Sequence, residues 1–279
     1  MEPVGRERIR VCGEDGDAER EDALAVEEPL RIRVRPPAGA AAFSFATTMR
    51  TPGDDHELAA GLLFTEGALE RPDDLVSLAL AETAPAGTKD NALVATLSPP
   101  AFERARGLRR ETVTGSACGI CGSDSIEEAI ARVRRPVASR LRVSREVLYA
   151  LPGRLRERQS IFAATGGLHG AAVFDAAGSL LEAREDIGRH NATDKVIGGA
   201  FRRGALPLAE HLLLVSGRAG FEIVQKALAA GVPVVASVSA PSSLAVALAD
   251  AAGITLVGFL RERRFNVYTH PERIAPLSR

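Results

Sequence analysis

From residue 162 onward, continuous apolar runs alternate with amphipathic stretches, and this pattern constrains the fold more than any other feature of the chain. HLLLVSGR, VPVVASVS and GITLVGFLR are apolar almost throughout their first residues. A strand that is polar on one side buries one face; a strand that is apolar on both sides must be covered on both. Between these runs, FEIVQKALAAG and SSLAVALADAAG carry apolar residues at helical spacing. Strand–helix alternation of this kind predicts a mostly parallel sheet with helices on both faces. Ahead of it, HGAAVFDAAGSLLEAREDIG reads as two strands joined by a turn at 176–178, and residues 191–203 as a helix. FNVYTH supplies a last strand.

The first half follows a different pattern. PLRIRVRPP and AAFSFATTM alternate with period two and are separated by Pro-Pro and Gly, which predicts neighbouring strands. In TPGDDHELAAGLLFTEGAL, Asp54 or Asp55 can cap a helix that carries Leu58, Leu62 and Leu63 on one side and ends near Gly67. Residues 71–80 read as a turn and a strand, and 91–97 as another strand. Residues 26–110 are thus expected to form a small α+β subdomain. Residues 1–25, charged and poor in large apolar side chains, are expected to be a flexible leader. Residues 111–125 (ETVTGSACGICGSDS) are small, polar and glycine-rich, as expected of a mobile loop. A helix is expected from Ser123 or Asp124, and another over 144–159. The second domain then covers 126–279, making the chain α/β in that part and α+β overall.

Composition narrows the function classes. The formal net charge is −1, so a general nucleic-acid binder, which needs a basic excess, is disfavoured. No apolar run approaches the roughly 20 residues that span a bilayer, and the first residues are too charged for a secretory signal. A cytoplasmic protein with reduced thiols is the expectation. Of three cysteines, Cys12 lies in the charged leader, whereas Cys118 and Cys121 form a Cys-x-x-Cys pair.

That pair suits sulfur handling. A thiolate is the nucleophile in sulfur transfer, and a glycine-rich loop lets both reaction partners reach it. A second thiol three residues on can release the outer sulfur as sulfide or close a disulfide. Other readings stay open at this point. A thioredoxin-like motif follows an aromatic residue, but the flanks here are Ser, Ala and Gly. Structural zinc needs four ligands, and no second cysteine pair exists, so histidines would have to complete the set. A zinc deaminase needs His-x-Glu with Pro-Cys-x-x-Cys, and Ala117 precedes Cys118. Two loop cysteines without a role remain the plain alternative.

Further polar clusters mark candidate ligand contacts. Thr165-Gly-Gly-Leu-His169 precedes a strand, and Arg184-Glu-Asp-Ile-Gly-Arg-His-Asn-Ala-Thr-Asp-Lys195 packs seven ionisable residues into twelve positions. A solvated helix face is the plain reading of the second. The functional reading is an anion pocket in which Gly188 turns the chain, Arg189 and Lys195 meet phosphate, and Glu185 or Asp186 orients them. The chain's only lysines are Lys89, Lys195 and Lys226, so a Lys inside a motif suggests that an ammonium is wanted there. Ser216-Gly-Arg218-Ala-Gly-Phe-Glu222 lies between a buried strand and a helix, at the carboxyl edge where α/β sheets bind ligands. Ser239-Ala-Pro-Ser-Ser243 repeats that layout. Phe259-Leu260-Arg261-Glu262-Arg263-Arg264 places three guanidiniums after the last apolar strand, either as a surface turn or as a holder for a multiply charged ligand.

In this order, Cys-Gly-Ile-Cys-Gly, Thr-Gly-Gly-Leu-His, Glu-Asp-Ile-Gly-Arg-His-Asn-Ala-Thr-Asp-Lys, Ser-Gly-Arg with Phe-Glu, Val-Ser-Ala-Pro, Leu-Val-Gly-Phe and Val-Tyr-Thr-His resemble the formate dehydrogenase accessory sulfurtransferases, the FdhD family. RTPGDDHELAAGLLFTEG is similar to the family's N-terminal region, and the resemblance covers roughly residues 28–272. It implies that sulfur from a cysteine desulfurase is delivered to molybdenum in the bis-guanine-dinucleotide pterin cofactor, a bound substrate, for formate dehydrogenase. It implies a persulfide on Cys118 assisted by Cys121, and a cofactor-binding stretch at Phe259, Leu260, Arg261, Glu262, Arg263 and Arg264. With His169, Arg189, His190, Lys195, Ser216 and Arg218 these make up the expected cofactor contacts, without a metal site or permanent cofactor. It further implies a zinc-free cytidine-deaminase-like C-terminal domain and a homodimer. The alternative is a chaperone that binds and delivers the cofactor without handling sulfur.

Overall fold

The computed structural model describes residues 2–14, 16–38, 41–81, 91–108 and 136–276. Cys118, Cys121, the expected mobile loop and the helix expected from Ser123 or Asp124 lie outside the described residues. Two strands come first, β1 (Val4–Gly13) and β2 (Gly16–Ala25). A four-stranded sheet follows, in order β4-β3-β6-β5, from β3 (Glu28–Arg35), β4 (Phe43–Arg50), β5 (Leu75–Leu80) and β6 (Ala92–Leu97). Helices α1 (Asp55–Thr65) and α2 (Pro99–Gly107) cover it. Leu30, Ile32 and Val34, alternate residues of β3, point into this core and are essentially fully buried against Leu58 and Leu63 of α1. Each such side chain contributes on the order of 1.5–3 kcal/mol.

The second half is built on a six-stranded sheet in order β12-β11-β10-β9-β7-β8. Its strands are β7 (His169–Asp175), β8 (Leu180–Asp186), β9 (His211–Val215), β10 (Val234–Ser237), β11 (Thr255–Arg261) and β12 (Arg264–Thr269). Its helices among the described residues are α3 (Arg145–Arg156), α4 (Ser160–Thr165), α5 (Arg189–Arg202), α6 (Phe221–Ala229) and α7 (Ser243–Ala251). Odd-numbered β7 residues Ala171 and Val173 pack with α5, α6 and α7 on one face. Ala172 and Phe174 pack with Leu148, Leu151 and Leu155 of α3 on the other. Helices on both faces match the expectation.

The expected mostly parallel sheet is corrected to a mixed one. β9, β10 and β11 run parallel, but β7 pairs antiparallel with both β8 and β9, and β12 antiparallel with β11. The connections at 176–179 and 262–263 are too short for a crossover, so they can join only antiparallel strands.

The expected flexible leader is also corrected. Val4–Gly13 and Gly16–Ala25 pair as regular antiparallel strands with Arg8 opposite Glu21 and Arg10 opposite Glu19. Opposite charges across a strand pair stabilise it modestly, here in place of the apolar alternation by which a strand is ordinarily recognised. The pair rests on α4 through β2, and Gly167 lies within about 3.4 Å of the Ala25 Cβ at the position a side chain would start.

The two halves are joined by α1 and α5, which cross at Gly61 and Gly198. A Cβ on Gly198 would collide with the Glu57 carbonyl oxygen and stand 2.6 Å from the Gly61 nitrogen; a Cβ on Gly61 would collide with the Asp194 carbonyl. Beside the crossing, Lys226 Nζ donates to both Asp194 carboxylate oxygens at 2.8 Å and to Thr65 Oγ1 at 3.0 Å. All three residues are buried. The ammonium therefore has one acceptor for each of its donors, as a buried charge requires.

Candidate functional site

The carboxyl ends of β9, β10 and β11, the start of β7 and the first turns of α5 and α6 meet at one edge of the six-stranded sheet. Ser216 fastens that edge: its backbone N–H donates to the Gly170 carbonyl, and its Oγ accepts the Gly170 N–H, both at 2.9 Å. This sets His169, the first residue of β7, beside the loop after β9. A Cβ on Gly217 would stand 3.2 Å from His169 Nδ1 and 3.4 Å from Arg189 Cδ, so only glycine leaves both side chains in place without a shift. One residue on, His190 Nε2 lies 3.0 Å from Glu222 Oε2 on α6.

Two guanidiniums, Arg189 and Arg218, lie close together at this edge, with Glu222 the acid that acts on Arg189. Burial, then the Arg218 guanidinium, lowers the pKa of Arg189. Arg189 Nε is itself buried without a hydrogen-bond partner. Like charges held close in a partly dry place favour a negative ligand. Burial, and then Arg189 and His190, push the His169 pKa below its ordinary value near 6.5, so the ring is neutral at pH 7. The His169 ring resonances are expected to titrate below 6.5, and to move upward in Arg189→Gln; an unchanged midpoint in that variant would contradict the coupling. Because the depressed pKa means the unfolded chain binds the proton more readily, this residue lowers stability as pH falls through 6.5 and below.

The sequence-predicted cluster of residues 184–195 splits in two. Arg189 and His190 face the edge. Asp186, fully buried, accepts hydrogen bonds from the Thr51 N–H (3.2 Å), Gly188 N–H (2.9 Å) and Asn191 Nδ2 (3.0 Å), and pairs with Lys195 at 2.8 Å. Lys195 Nζ also donates to the Thr51 and Glu185 carbonyls, both at 3.1 Å, and is 1% exposed. The expectation that Lys195 meets phosphate is corrected, because all three of its donors are used inward. Glu185 does not orient Arg189 either; its carboxylate accepts the Ile161 and Phe162 N–H groups at the start of α4. Glu222, the last residue of the Ser216–Glu222 motif, is an edge residue outside the expected cofactor contacts. Its signal is an acidic residue in the first turn of a helix that follows a buried strand.

Phe259 to Arg264 occupy the same edge on the α3 face. A cavity of about 650 Å³ is lined by Pro152, Val238, Leu260, Arg261, Glu262, Arg263 and Arg264. Phe259 has φ +51°, a left-handed conformation costly for a bulky residue. Its N–H donates to the Ser239 carbonyl at 3.1 Å, and the preceding Gly258 is pressed against Pro241 and Tyr268, where a Cβ would stand 2.8 and 2.9 Å away. The structure therefore gathers His169, Arg189, His190, Ser216 and Arg218 on one face of the edge and Phe259 to Arg264 on the other.

Fold and site together describe an α+β protein with arginines gathered at one edge of its larger sheet. Residues 25–275 match the FdhD/NarQ family model, and the chain belongs to that family. It is 47% identical to the sulfur carrier protein FdhD of Mycobacterium bovis over 274 residues, 96% of this chain and 97% of that protein. It is 40% identical to the protein of the same name from Sulfurisphaera tokodaii, over 97% of this chain and 99% of the other. Among solved structures, a putative formate dehydrogenase accessory protein from Desulfotalea psychrophila superposes with a TM-score of 0.74 at 22% identity, covering 98% and 100% of the two chains, which shows the fold.

Proposed function

We propose that the chain is a sulfur carrier that accepts persulfide sulfur from a cysteine desulfurase and passes it to the molybdenum bis-guanine-dinucleotide cofactor, a step that formate dehydrogenase needs. Membership of the family, with near-full-length relatives named sulfur carriers, is the observation that carries this reading. In the first step the Cys118 thiolate attacks the donor's outer persulfide sulfur. A Cys118 S–S bond forms as the donor's S–S bond breaks, and the donor leaves as thiolate. Attack by the Cys121 thiolate on the inner sulfur then releases sulfide and closes a Cys118–Cys121 disulfide.

The paired guanidiniums of Arg189 and Arg218, and those of Arg261, Arg263 and Arg264 across the edge, suit a ligand bearing several phosphates. The apolar floor of the 650 Å³ cavity, with Pro152, Val238 and Leu260, suits a planar heterocycle beside those phosphates. The same reading takes the C-terminal part as a zinc-free relative of the cytidine-deaminase fold, supported by a hairpin lying beside three parallel strands. It also makes the protein a cytoplasmic homodimer. No helix among the described residues is long and apolar enough to cross a membrane.

Intact mass spectrometry after incubation with a cysteine desulfurase and cysteine tests the carrier role. The wild type is expected to gain one sulfur mass, reversed by reductant, and Cys118→Ala to gain none; Cys121→Ala is expected to load but not to release. Sulfur-free wild-type protein, with formate dehydrogenase still activated, would instead favour a chaperone that only delivers the cofactor.

A further inference from the structure

A second cavity, of about 360 Å³, lies away from this edge, beside the amino end of β11, and is lined by Ser139, Arg140, Leu141, Arg142, Glu272 and Arg273. The segment 139–143 and the turn Pro271–Arg273 form its walls. The Val143 N–H donates to the Arg273 carbonyl at 2.9 Å, and the Ala275 N–H to the Val143 carbonyl at 2.8 Å. Arg273 is 9% exposed. Its Nη1 donates to Thr255 Oγ1 at 3.2 Å and its Nη2 to the Val137 carbonyl at 3.4 Å, while its Nε is buried and finds no acceptor. Among the described residues no carboxylate forms an ion pair with it. Among the described residues this guanidinium, nine-tenths buried, has only neutral hydrogen-bond acceptors, and the one acid that feels its charge is Glu272.

The rest of the lining deepens the imbalance. Arg140 and Arg142 are exposed at the mouth, and Arg142 Nη1 donates to the Glu272 carbonyl at 2.9 Å. The one acid, Glu272, has its carboxylate 3.3 Å from His270 Nδ1 and its side chain 60% exposed. The cavity is near the small end of ligand sites, which run from about 300 to 1,000 Å³. It therefore suits a compact ligand.

We propose that this cavity binds a small oxyanion, phosphate or a phosphate monoester, between Arg140, Arg142 and Arg273. The site is independent of the carboxyl-edge site, and a ligand there ties residues 139–142 to the turn at Pro271–Arg273. Arg273 provides the preorganised buried charge, Arg140 and Arg142 close over the anion, and Glu272 weakens binding by repulsion.

Isothermal titration of the full chain with inorganic phosphate, and separately with phenyl phosphate, tests this. One phosphate per chain is expected. Arg140→Gln/Arg142→Gln, at exposed positions that leave the fold intact, is expected to weaken it by about ten-fold or more. Glu272→Gln is expected to tighten it, and Arg189→Gln/Arg218→Gln to leave it unchanged, which separates this site from the proposed cofactor site. Binding of both probes identifies a monoester site, and of phosphate alone a site for the free ion. No binding at millimolar phosphate, or unchanged affinity in the Arg140/Arg142 variant, overturns the proposal. So does loss of binding in the Arg189/Arg218 variant.

Discussion

Gly198→Ala is expected to lower the melting temperature by roughly 10 °C or more. The added methyl group would stand against backbone, not against a side chain that can rotate: the Glu57 carbonyl and the Gly61 nitrogen lie in its way. Relief requires α1 and α5 to move apart. That movement would pull Thr65 from Asp194 and Lys226, and loosen the cores on both sides of the crossing. Overpacking that side chains can absorb costs about 1–3 kcal/mol, and a forced backbone shift belongs to the tail beyond roughly 4 kcal/mol. In a chain of this size each kcal/mol moves the midpoint by about 2–4 °C. Gly153→Ala is the control. It lies in α3 with nothing within 4 Å of the new Cβ, and gains about 0.5–1 kcal/mol from lower chain entropy and better helix propensity. Calorimetry of both variants checks the pair of expectations, and a Gly198→Ala midpoint within a degree or two of the wild type would mean that the helices do not cross this closely.

Lys195→Met is expected to cost about 3–5 kcal/mol, the usual penalty for removing one member of a buried ion pair. Asp186 would keep its three hydrogen bonds but stay buried and charged with no cation beside it. The Thr51 and Glu185 carbonyls would lose their donor as well. Adding Asp186→Asn should restore part of the loss, because the neutral amide no longer needs the ammonium; coupling between such neighbours is commonly 0.5–3 kcal/mol. Urea unfolding of the two single variants and the double gives the cycle. A Lys195→Met protein of wild-type stability with weakened cofactor binding would restore Lys195 to the role that the sequence suggests.

Much of the frame is legible in the chain itself, and contacts between distant residues set the rest. The strands β9, β10 and β11, the helices between them and the α+β character of the first half were legible, because burial on two faces imposes unbroken apolar runs and helical spacing on any sequence. The placing of the Ser216 and Ser239 junctions at one sheet edge was legible too, since strand–turn–helix junctions fall at the carboxyl ends of parallel strands by geometry alone. The paired strands Val4–Gly13 and Gly16–Ala25 were hidden because the residues facing one another across their middle are mostly charged, and charge carries no periodic apolar signature. The split of Arg184 to Lys195 into an outward pair and an inward network depended on residues more than 120 positions away: Thr48, Thr51 and Thr65 supply partners to Asn191, Asp186, Lys195 and Asp194. The same holds for lysine itself. The sequence shows that an ammonium was retained at 195 and 226 in an arginine-rich chain; the fold shows why, since each sits in a closed pocket with three acceptors for three donors, a place too small and too fully matched for the five-donor fork of a guanidinium.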